Sequence, residues 1–472
     1  MAGHIRLFRH YIHTSFLIAT LAEGLAVVAA AYTGHFTRWG EFPDFYTHLP
    51  FALTLAAVLT FSMAIMGVHE ARLREGYVGV MLRTAVAMFL LGTLAMAVVM
   101  YLATGLSEGR GVLLFSTIEA FIFVAVLRWF TSRFLSEDLL KRRVLVYGTG
   151  HRASKIASRM RRRSDRRAFV LVGYLQPDSS EDLVSEYGAT ILPKPNVTLS
   201  EYCEDLDIDE IVIAFDARRE SDQGAGVPFE ELMECRLNGI EVCEVQSFVE
   251  REAGKLDVDL LQRSWLVYSD GFVTGWLRAG TKRTFDLLAA SALLLTLWPV
   301  MLLAALAILI GDKFRGPVLY RQDRIGLNGE RFKVIKFRTM IVDAEKSGAV
   351  WASHDDPRVT RVGAFLRKSR LDELPQLFSV LRGTMSMVGP RPERPMFVDN
   401  LEGQLPFYQQ RHRIKPGITG WAQLCHPYGG SVQDSKEKLQ YDLYYLKNHS
   451  ILLDLIILMQ TIEVVLVGDG AR

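Results

Sequence analysis

Residues 287–310 read LLAASALLLTLWPVMLLAALAILI, an apolar run interrupted near its middle by Pro299. About 20 apolar residues suffice to cross the hydrocarbon layer of a bilayer, so the run is long enough to span. Proline removes a helical hydrogen bond and kinks the axis. Lys282 and Arg283 precede the run, and Lys313, Arg315, Arg321 and Arg324 follow it. Positive charge collects on the cytoplasmic side of a membrane, so both flanks read as cytoplasmic. The pattern predicts a helix over about 283–311 that enters the membrane, turns at Pro299 and leaves by the same face. A fifth full crossing is the plain alternative, and it would put everything after it outside the cell.

Four more apolar runs precede it, at 12–32, 49–68, 78–103 and 112–130. No small-residue cleavage site follows the first, so a removed signal peptide is not expected. Arg6, Arg9, Arg72, Arg74, Arg133, Lys141, Arg142 and Arg143 fall in one set of flanks, against only Arg38 and Arg110 in the other. That asymmetry places both ends of a four-helix transmembrane region, 1–135, in the cytoplasm. Glu23 and Glu119 lie inside runs, where an acid marks function by default. Hydrogen bonding to neighbouring helices is the reading taken for them. The chain has 472 residues, a net charge of +2 and 22% charged residues, with a mean hydropathy of +0.16. Those values fit neither a soluble enzyme nor a pure membrane bundle, and they exclude disorder. The near-zero net charge gives no sign of nucleic-acid binding. Cys203, Cys235, Cys243 and Cys425 form no CxxC pair and read as reduced, buried thiols.

From 136 to 262 the pattern changes to short strands alternating with helices. Strands are expected at 143–148, 169–175, 210–215 and 240–245, with a helix at 229–238 closed by Gly239. Such alternation predicts a parallel, Rossmann-like sheet. Gly148-Thr149-Gly150-His151-Arg152-Ala153 matches GxGxxA, a turn that can seat a pyrophosphate at a helix N-terminus. The usual ribose-binding acid sits about 20 residues on, yet the nearest strand-end acid, Asp178, lies farther away. The turn therefore reads as a structural relic, and no NAD is expected on the protein. The band 141–167 carries eleven Lys/Arg against one acid, Asp165. It suits anionic headgroups, and equally a solvated helix face. Residues 263–280 read as a linker. At the far end, 451–467 (ILLDLIILMQTIEVVLV) is broken by Asp454 and Glu463, so it is expected to lie on the membrane as an amphipathic helix.

The chemistry concentrates in 316–423. Its segments are GPVLYRQDRIGLNGERFKVIKFRTM (316–340), DPRVTRVGAFLRKSRLDELPQL (356–377), MSMVGPRPE (385–393) and RHRIKPGITGWAQ (411–423). Arg321, Arg324, Lys333, Lys336, Arg338, Arg358, Arg361, Arg367, Lys368, Arg370 and Arg391 crowd a region with few acids. Guanidinium groups match phosphate oxygens, so a phosphorylated substrate suits this density, as would contact with headgroups. Within it, Asp372-Glu373 is followed by Pro375, which places the two acids at a helix start. Adjacent helical residues point about 100° apart, so the pair divides roles rather than sharing a proton. A carboxylate can attack phosphorus, and its neighbour can hold Mg²⁺.

Residues 282–467 resemble the bacterial sugar transferases, the monotopic polyprenyl-phosphate phosphoglycosyl transferases. The resemblance rests on KRTFD with Pro299, GPVLYRQDRIGLNGERFKVIKFRTM, LDELPQL, VGPRPE, KPGITGWAQ and YDLYYLKN. The N-terminal runs and the Rossmann-like domain further resemble large, WbaP- or WcaJ-like members. RVLVYGTG and HPYGGS look similar to the branch associated with PEP-CTERM/exosortase exopolysaccharide loci. The resemblance implies a catalytic domain over 281–472 at the cytoplasmic face of the inner membrane. There a sugar-1-phosphate would pass from a UDP-sugar to undecaprenyl phosphate with release of UMP, as the first membrane step of exopolysaccharide biosynthesis. By the same likeness Asp372 is the nucleophile, and Glu373 its partner near Mg²⁺, the two acids forming the metal position. Pro390, Arg391 and Pro392 meet the uridine end of the donor. Lys336, Arg338 and Arg370 are assigned to phosphates, while Asp442 matches a recurrent acid of open role. Homodimerisation is a further implication of the large members. After WAQ most relatives continue with VNG, whereas this chain has Leu424-Cys425-His426-Pro427-Tyr428, which puts any inherited sugar preference in question.

Three rivals remain open at this point. A short-chain dehydratase or epimerase needs YxxxK, and no Tyr here has Lys four residues on. A glycosyltransferase releasing UDP would use a DxD pair, for which Asp205-Leu206-Asp207 or Asp257-Val258-Asp259 would serve. An inactive scaffold for polysaccharide export would not need the intact Asp372-Glu373 pair.

Overall fold

The computed structural model describes residues 4–7, 10–66, 77–103, 108–134, 141–160, 169–177, 182–216, 228–261, 275–313, 316–342, 356–426, 429 and 431–467. Arg72, Arg74, Asp165, Asp178, Arg315, Pro427, Tyr428, 161–167 of the basic band and most of the expected linker lie outside them. The chain divides into two compact units, the first ending at Ala253 and the second running from Gly254 onwards.

After a short pair of strands, His4–Leu7 and His10–His13, the first unit has helices Thr14–Trp39, Phe45–Ile65, Tyr77–Leu102 and Arg110–Phe134, the third containing a π-helical turn over Ala87–Gly92. Stretches of all four are long and apolar enough to cross a membrane. Both intramembrane acids are hydrogen-bonded. Glu23 takes Arg128 Nε at 2.6 Å, and Arg128 also reaches Thr84 Oγ1 at 2.5 Å and Met63 Sδ at 3.7 Å. One guanidinium thereby touches all four helices. Glu119 Oε1 accepts the Thr37 hydroxyl at 2.6 Å.

The α/β part of this unit is a five-stranded parallel sheet. Its order is Ile191–Leu192, Phe169–Leu175, Arg142–Tyr147, Glu210–Ile213, Glu241–Glu244. The order reverses beside the first strand, the arrangement of a Rossmann-like sheet. The glycine turn sits at that switch point, but the protein's own acid fills it. Asp216 accepts the backbone N–H of His151 at 2.5 Å and of Arg152 at 2.8 Å. A Cβ on Gly150 would meet Asp216 Oδ2 at 1.9 Å. A carboxylate thus occupies the helix N-terminus where such folds seat a pyrophosphate. Arg142, expected in a headgroup-facing or solvated band, is instead buried and paired with Glu210 and Glu252.

The second unit begins earlier than the sequence pattern suggests. Leu256, Val258 and Leu261, expected to close the middle domain, pack into the core of this unit, and Trp421 Nε1 donates to Gly254 O at 2.7 Å. The long apolar run forms a helix from Trp276 to Gly311, unbroken at Pro299. Its N-terminal part inserts Ala290 into the main core, and its C-terminal part packs Ala304 and Ile308 on Phe337 and Leu366. A hairpin (Leu319–Ile325 with Arg331–Phe337) and a parallel pair (Ser386–Val388 with Gly417–Thr419) supply the β-structure. Helix Val432–Asn448, which the sequence pattern does not announce, runs through the core and is opened by a Ser431/Asp434 capping box.

Helix Ile451–Val467 departs from expectation. Leu453 and Ile457 are core residues, and Asp454 is fully buried rather than water-facing. Asp454 accepts Lys282 Nζ at 2.7 Å and Tyr445 Oη at 2.6 Å. Lys282 also lies 3.7 Å from Asp286, which holds Ser386 Oγ at 3.0 Å and Met387 N at 3.1 Å. A polar network therefore ties the long helix to the strand that leads into Pro390-Arg391-Pro392.

Candidate active site

Helix Arg361–Lys368 is capped by Thr360, whose side chain accepts Gly363 N–H at 2.9 Å. The chain then reverses at Arg370, with φ +57°. A non-glycine residue in the left-handed region is held there only by its surroundings, a conformation that recurs at functional sites. The reversal opens a 3₁₀ turn, Leu371–Gln376, whose first turn carries both acids, and Leu377–Arg382 continues as α-helix. The acids do sit at a helix start, but in 3₁₀ rather than α geometry, with Pro375 inside the turn.

Asp372 and Glu373 are 8% and 7% exposed, too buried for a dipole device at a surface. Their surroundings differ. Glu373 Oε1 receives Lys336 Nζ at 2.6 Å and Arg391 NH2 at 3.2 Å. Lys336 comes from the hairpin strand Arg331–Phe337, so three separate segments meet at one oxygen. Arg391 is held on its other side by Gln423 Oε1, 3.1 Å from NH1. Glu373 Oε2 and both oxygens of Asp372 accept no hydrogen bond among the described residues.

The electrostatics separate the two acids in the same sense. Burial pushes the Asp372 carboxyl up, helped by the neighbouring Glu373 charge, while Lys336, Arg391 and Arg367 pull it down. Burial also pushes Glu373 up, but Lys336 and Arg391 outweigh it and hold that carboxyl well below the usual range. One acid is a fixed anion locked between cations; the other is uncommitted.

Magnesium takes one or two carboxylates plus phosphate oxygens and keeps several waters. The free oxygens of Asp372 and Glu373 Oε2 meet that need. No group of three His, Cys, Asp or Glu among the described residues forms a complete metal cage, so substrate phosphate would have to complete the shell.

The remaining expected residues scatter. Arg370 abuts the pair, its carbonyl accepting Glu373 N–H at 3.2 Å and its charge lowering the Glu373 carboxyl. Arg338 turns away, donating from NH2 to Asp312 at the C-terminal end of the long helix, 2.8 Å. Asp442 is 1% exposed and lies 2.8 Å from Arg411, not at the acids. Pro299 lies mid-helix, away from this cluster in sequence. Sequence reasoning missed Gln423 and Arg411, although both lie inside the quoted 411–423 segment. Leu424 and Cys425 pack on the core, and His426 Nε2 is 3.4 Å from Asp434 Oδ1. Of the two DxD pairs, Asp205 and Asp207 are exposed in the first unit, Asp257 accepts Asp259 N–H, and Asp259 pairs with Lys436.

Residues 277–468 match the bacterial sugar transferase family. The chain is 42% identical over 241 residues to the UDP-N-acetylgalactosamine-undecaprenyl-phosphate N-acetylgalactosaminephosphotransferase of Aeromonas hydrophila, covering 51% of this chain and 56% of that protein. It is 36% identical over 344 residues to the undecaprenyl-phosphate glucose phosphotransferase of Komagataeibacter xylinus, covering 69% of this chain and 59% of the relative. With the exopolysaccharide production protein PSS of Rhizobium leguminosarum bv. phaseoli it shares 41% identity over 190 residues, 38% of this chain and 92% of that protein. The matched part thus spans a little over half the length of the first two relatives.

Proposed function

The chain belongs to the bacterial sugar transferase family, and we propose from it that this protein moves a sugar-1-phosphate from a UDP-sugar to undecaprenyl phosphate, releasing UMP. The observation that carries the reading is the asymmetry of the acid pair: Asp372 uncommitted, Glu373 clamped by Lys336 and Arg391. An Asp372 oxygen attacks the phosphorus that bears the sugar. The bond from that phosphorus to the oxygen shared with the nucleotide breaks, and UMP leaves with the electron pair. A phosphate oxygen of undecaprenyl phosphate then attacks the same phosphorus, and the Asp372 carboxylate departs. Glu373 keeps Lys336 and Arg391 in place beside the phosphates, and Arg370 adds positive charge at the same end. Bound Mg²⁺, held by the free oxygens of Asp372 and Glu373, would supply charge neutralisation at the phosphates.

The nucleotide product tests this against sugar transfer alone. With UDP-N-acetylgalactosamine or UDP-glucose and undecaprenyl phosphate, chromatography should find UMP. UDP as the product would favour a glycosyltransferase instead.

Topology follows from where the substrates meet. UDP-sugars are cytosolic, and the acceptor phosphate lies at headgroup level. We take helix Trp276–Gly311 to enter and leave by the cytoplasmic face, with the four N-terminal helices spanning the inner membrane. Support comes from both ends of the helix being tied to one domain. Arg283 donates to Val380 O and Leu381 O at 2.6 and 2.7 Å, while Asp312, just past the other end, pairs with Arg338. The helix is continuous through Pro299, so on this reading the change of direction is a proline bend within one helix rather than a break between two. Single Thr281→Cys and Lys313→Cys variants should both react with impermeant maleimide only from the cytoplasmic side. Labelling of Lys313→Cys from the periplasm would refute the turn.

A further inference from the structure

Pro390-Arg391-Pro392 has a single backbone N–H in three residues, because proline carries none. Such a segment is positioned mainly through its carbonyls, and each carbonyl is gripped by a different element. Pro390 O accepts Gly417 N–H at 3.0 Å. Arg391 O accepts Arg411 NH2 at 3.0 Å, and Pro392 O accepts Arg324 NH1 at 3.1 Å. A Cβ on Gly389 would meet Lys415 O at 2.3 Å, so the two segments approach as closely as backbone allows.

The middle grip differs from the others. Arg411 is 5% exposed, and a buried guanidinium persists only where its charge is compensated. Asp442, on helix Val432–Asn448, lies 2.8 Å from Arg411 NH2. Tyr408 Oη accepts from NH1 at 2.7 Å, and its ring centre lies 5.1 Å from the guanidinium carbon. Among the described residues none of these three side chains bonds to Asp372 or Glu373. Arg391 joins them to the acids: Arg411 holds its carbonyl, and its guanidinium bridges Glu373 and Gln423.

We infer that Tyr408, Arg411 and Asp442 form a positioning unit that sets the placement of Arg391, and through it the affinity for the nucleotide end of the donor. The effect on affinity rests on the phosphosugar-transfer reading above; the effect on Arg391 does not. Loss of the Arg411 grip lets the Pro390–Pro392 segment shift, which withdraws one cation from Glu373. The three residues act through Arg391 and touch no reacting atom.

The unit also has a titratable member. Burial pushes the Asp442 carboxyl up to about 6 against the pull of Arg411, with Glu393 adding to the rise and Lys438 opposing it. Tyr408, raised by its own burial, remains neutral through this range. As pH falls through about 6, Asp442 takes a proton and its charge pairing with Arg411 is lost.

The test uses the full-length protein in lipid nanodiscs and UDP as the probe, since every UDP-sugar carries that part. Arg411→Lys and Asp442→Asn should weaken UDP binding about tenfold or more, the scale set by a hydrogen bond to a charged group. UDP's own terminal phosphate takes up a proton at about pH 6, so affinity should fall there in both proteins, and more steeply in wild type than in Asp442→Asn. Partial unfolding would lower the number of sites but not the affinity of those remaining. Amide exchange at Gly417, which donates to Pro390 O, should speed up in both variants, while helix Leu377–Arg382 stays protected. Tyr408→Phe supplies a milder variant if the others fold poorly, with the same changes in smaller measure. Wild-type Gly417 protection in these variants would overturn the positioning unit whatever the donor. A wild-type protein that binds no UDP would instead sink the phosphosugar reading, with Gly417 exchange still deciding the inference.

Discussion

Asp372→Asn should lower UMP release by about a thousandfold or more, the scale of losing a nucleophile rather than a contact. The same substitution should leave the melting temperature unchanged or raise it. Asp372 accepts no hydrogen bond among the described residues, so the amide leaves no partner behind. The sign follows from its environment. Burial raises the folded-state carboxyl above its ordinary value, so the ionised form costs stability above the ordinary carboxylate range. That cost is absent at lower pH, where the acid is protonated in both states, and a neutral amide removes it. An activity collapse without loss of stability is the signature of a reacting group. Glu373→Gln should behave differently, because it leaves Lys336 and Arg391 facing a neutral amide. Thermal unfolding beside turnover, measured on the same nanodisc preparations, separates the two.

Lys282→Met should destabilise the second unit by about 3–5 kcal/mol, the cost of breaking a buried ion pair from one side. Lys282 is the cation between two acids, Asp454 at 2.7 Å and Asp286 at 3.7 Å, 0% and 2% exposed. Without it two buried carboxylates face each other across the network. Asp286 still holds Ser386 and Met387, so damage should travel along strand Ser386–Val388 towards Arg391. Replacing Lys282 and Asp454 together, by Met and Asn, should recover part of the loss, because the uncompensated charge goes with the lysine. Denaturant or thermal unfolding checks both, and a neutral single variant would show that the network carries no weight.

Much of this was legible in the sequence because it depends on local patterns. The middle-domain strands at 169–175 and near 143–148 are short apolar runs bounded by polar or turn residues, a local pattern that survives without tertiary information. The Asp372-Glu373 pair declared itself through Pro375 and the cations around it. The rest depends on partners distant along the chain. Asp454 looked like a water-facing break because nothing nearby announces Lys282 beneath it. Arg142 looked like part of a surface band until Glu210 and Glu252 close over it. Helix Val432–Asn448 hides its period because Gln440, Asp442 and Asn448 are buried along with its apolar residues. Its Ser431-x-x-Asp434 cap was the available signal. Arg338, given to phosphates by the family likeness, donates from NH2 to Asp312, a partner no local pattern announces.

The covalent step is the central claim, and intact mass addresses it most directly. The protein is incubated with a UDP-sugar and Mg²⁺ without undecaprenyl phosphate, quenched, and weighed by mass spectrometry with peptide mapping. The account predicts a gain equal to one sugar phosphate on the peptide containing Asp372, absent in Asp372→Asn and discharged when undecaprenyl phosphate is added. Full turnover to UMP and lipid-linked sugar, with no adduct on Asp372 at any time after mixing, would contradict it.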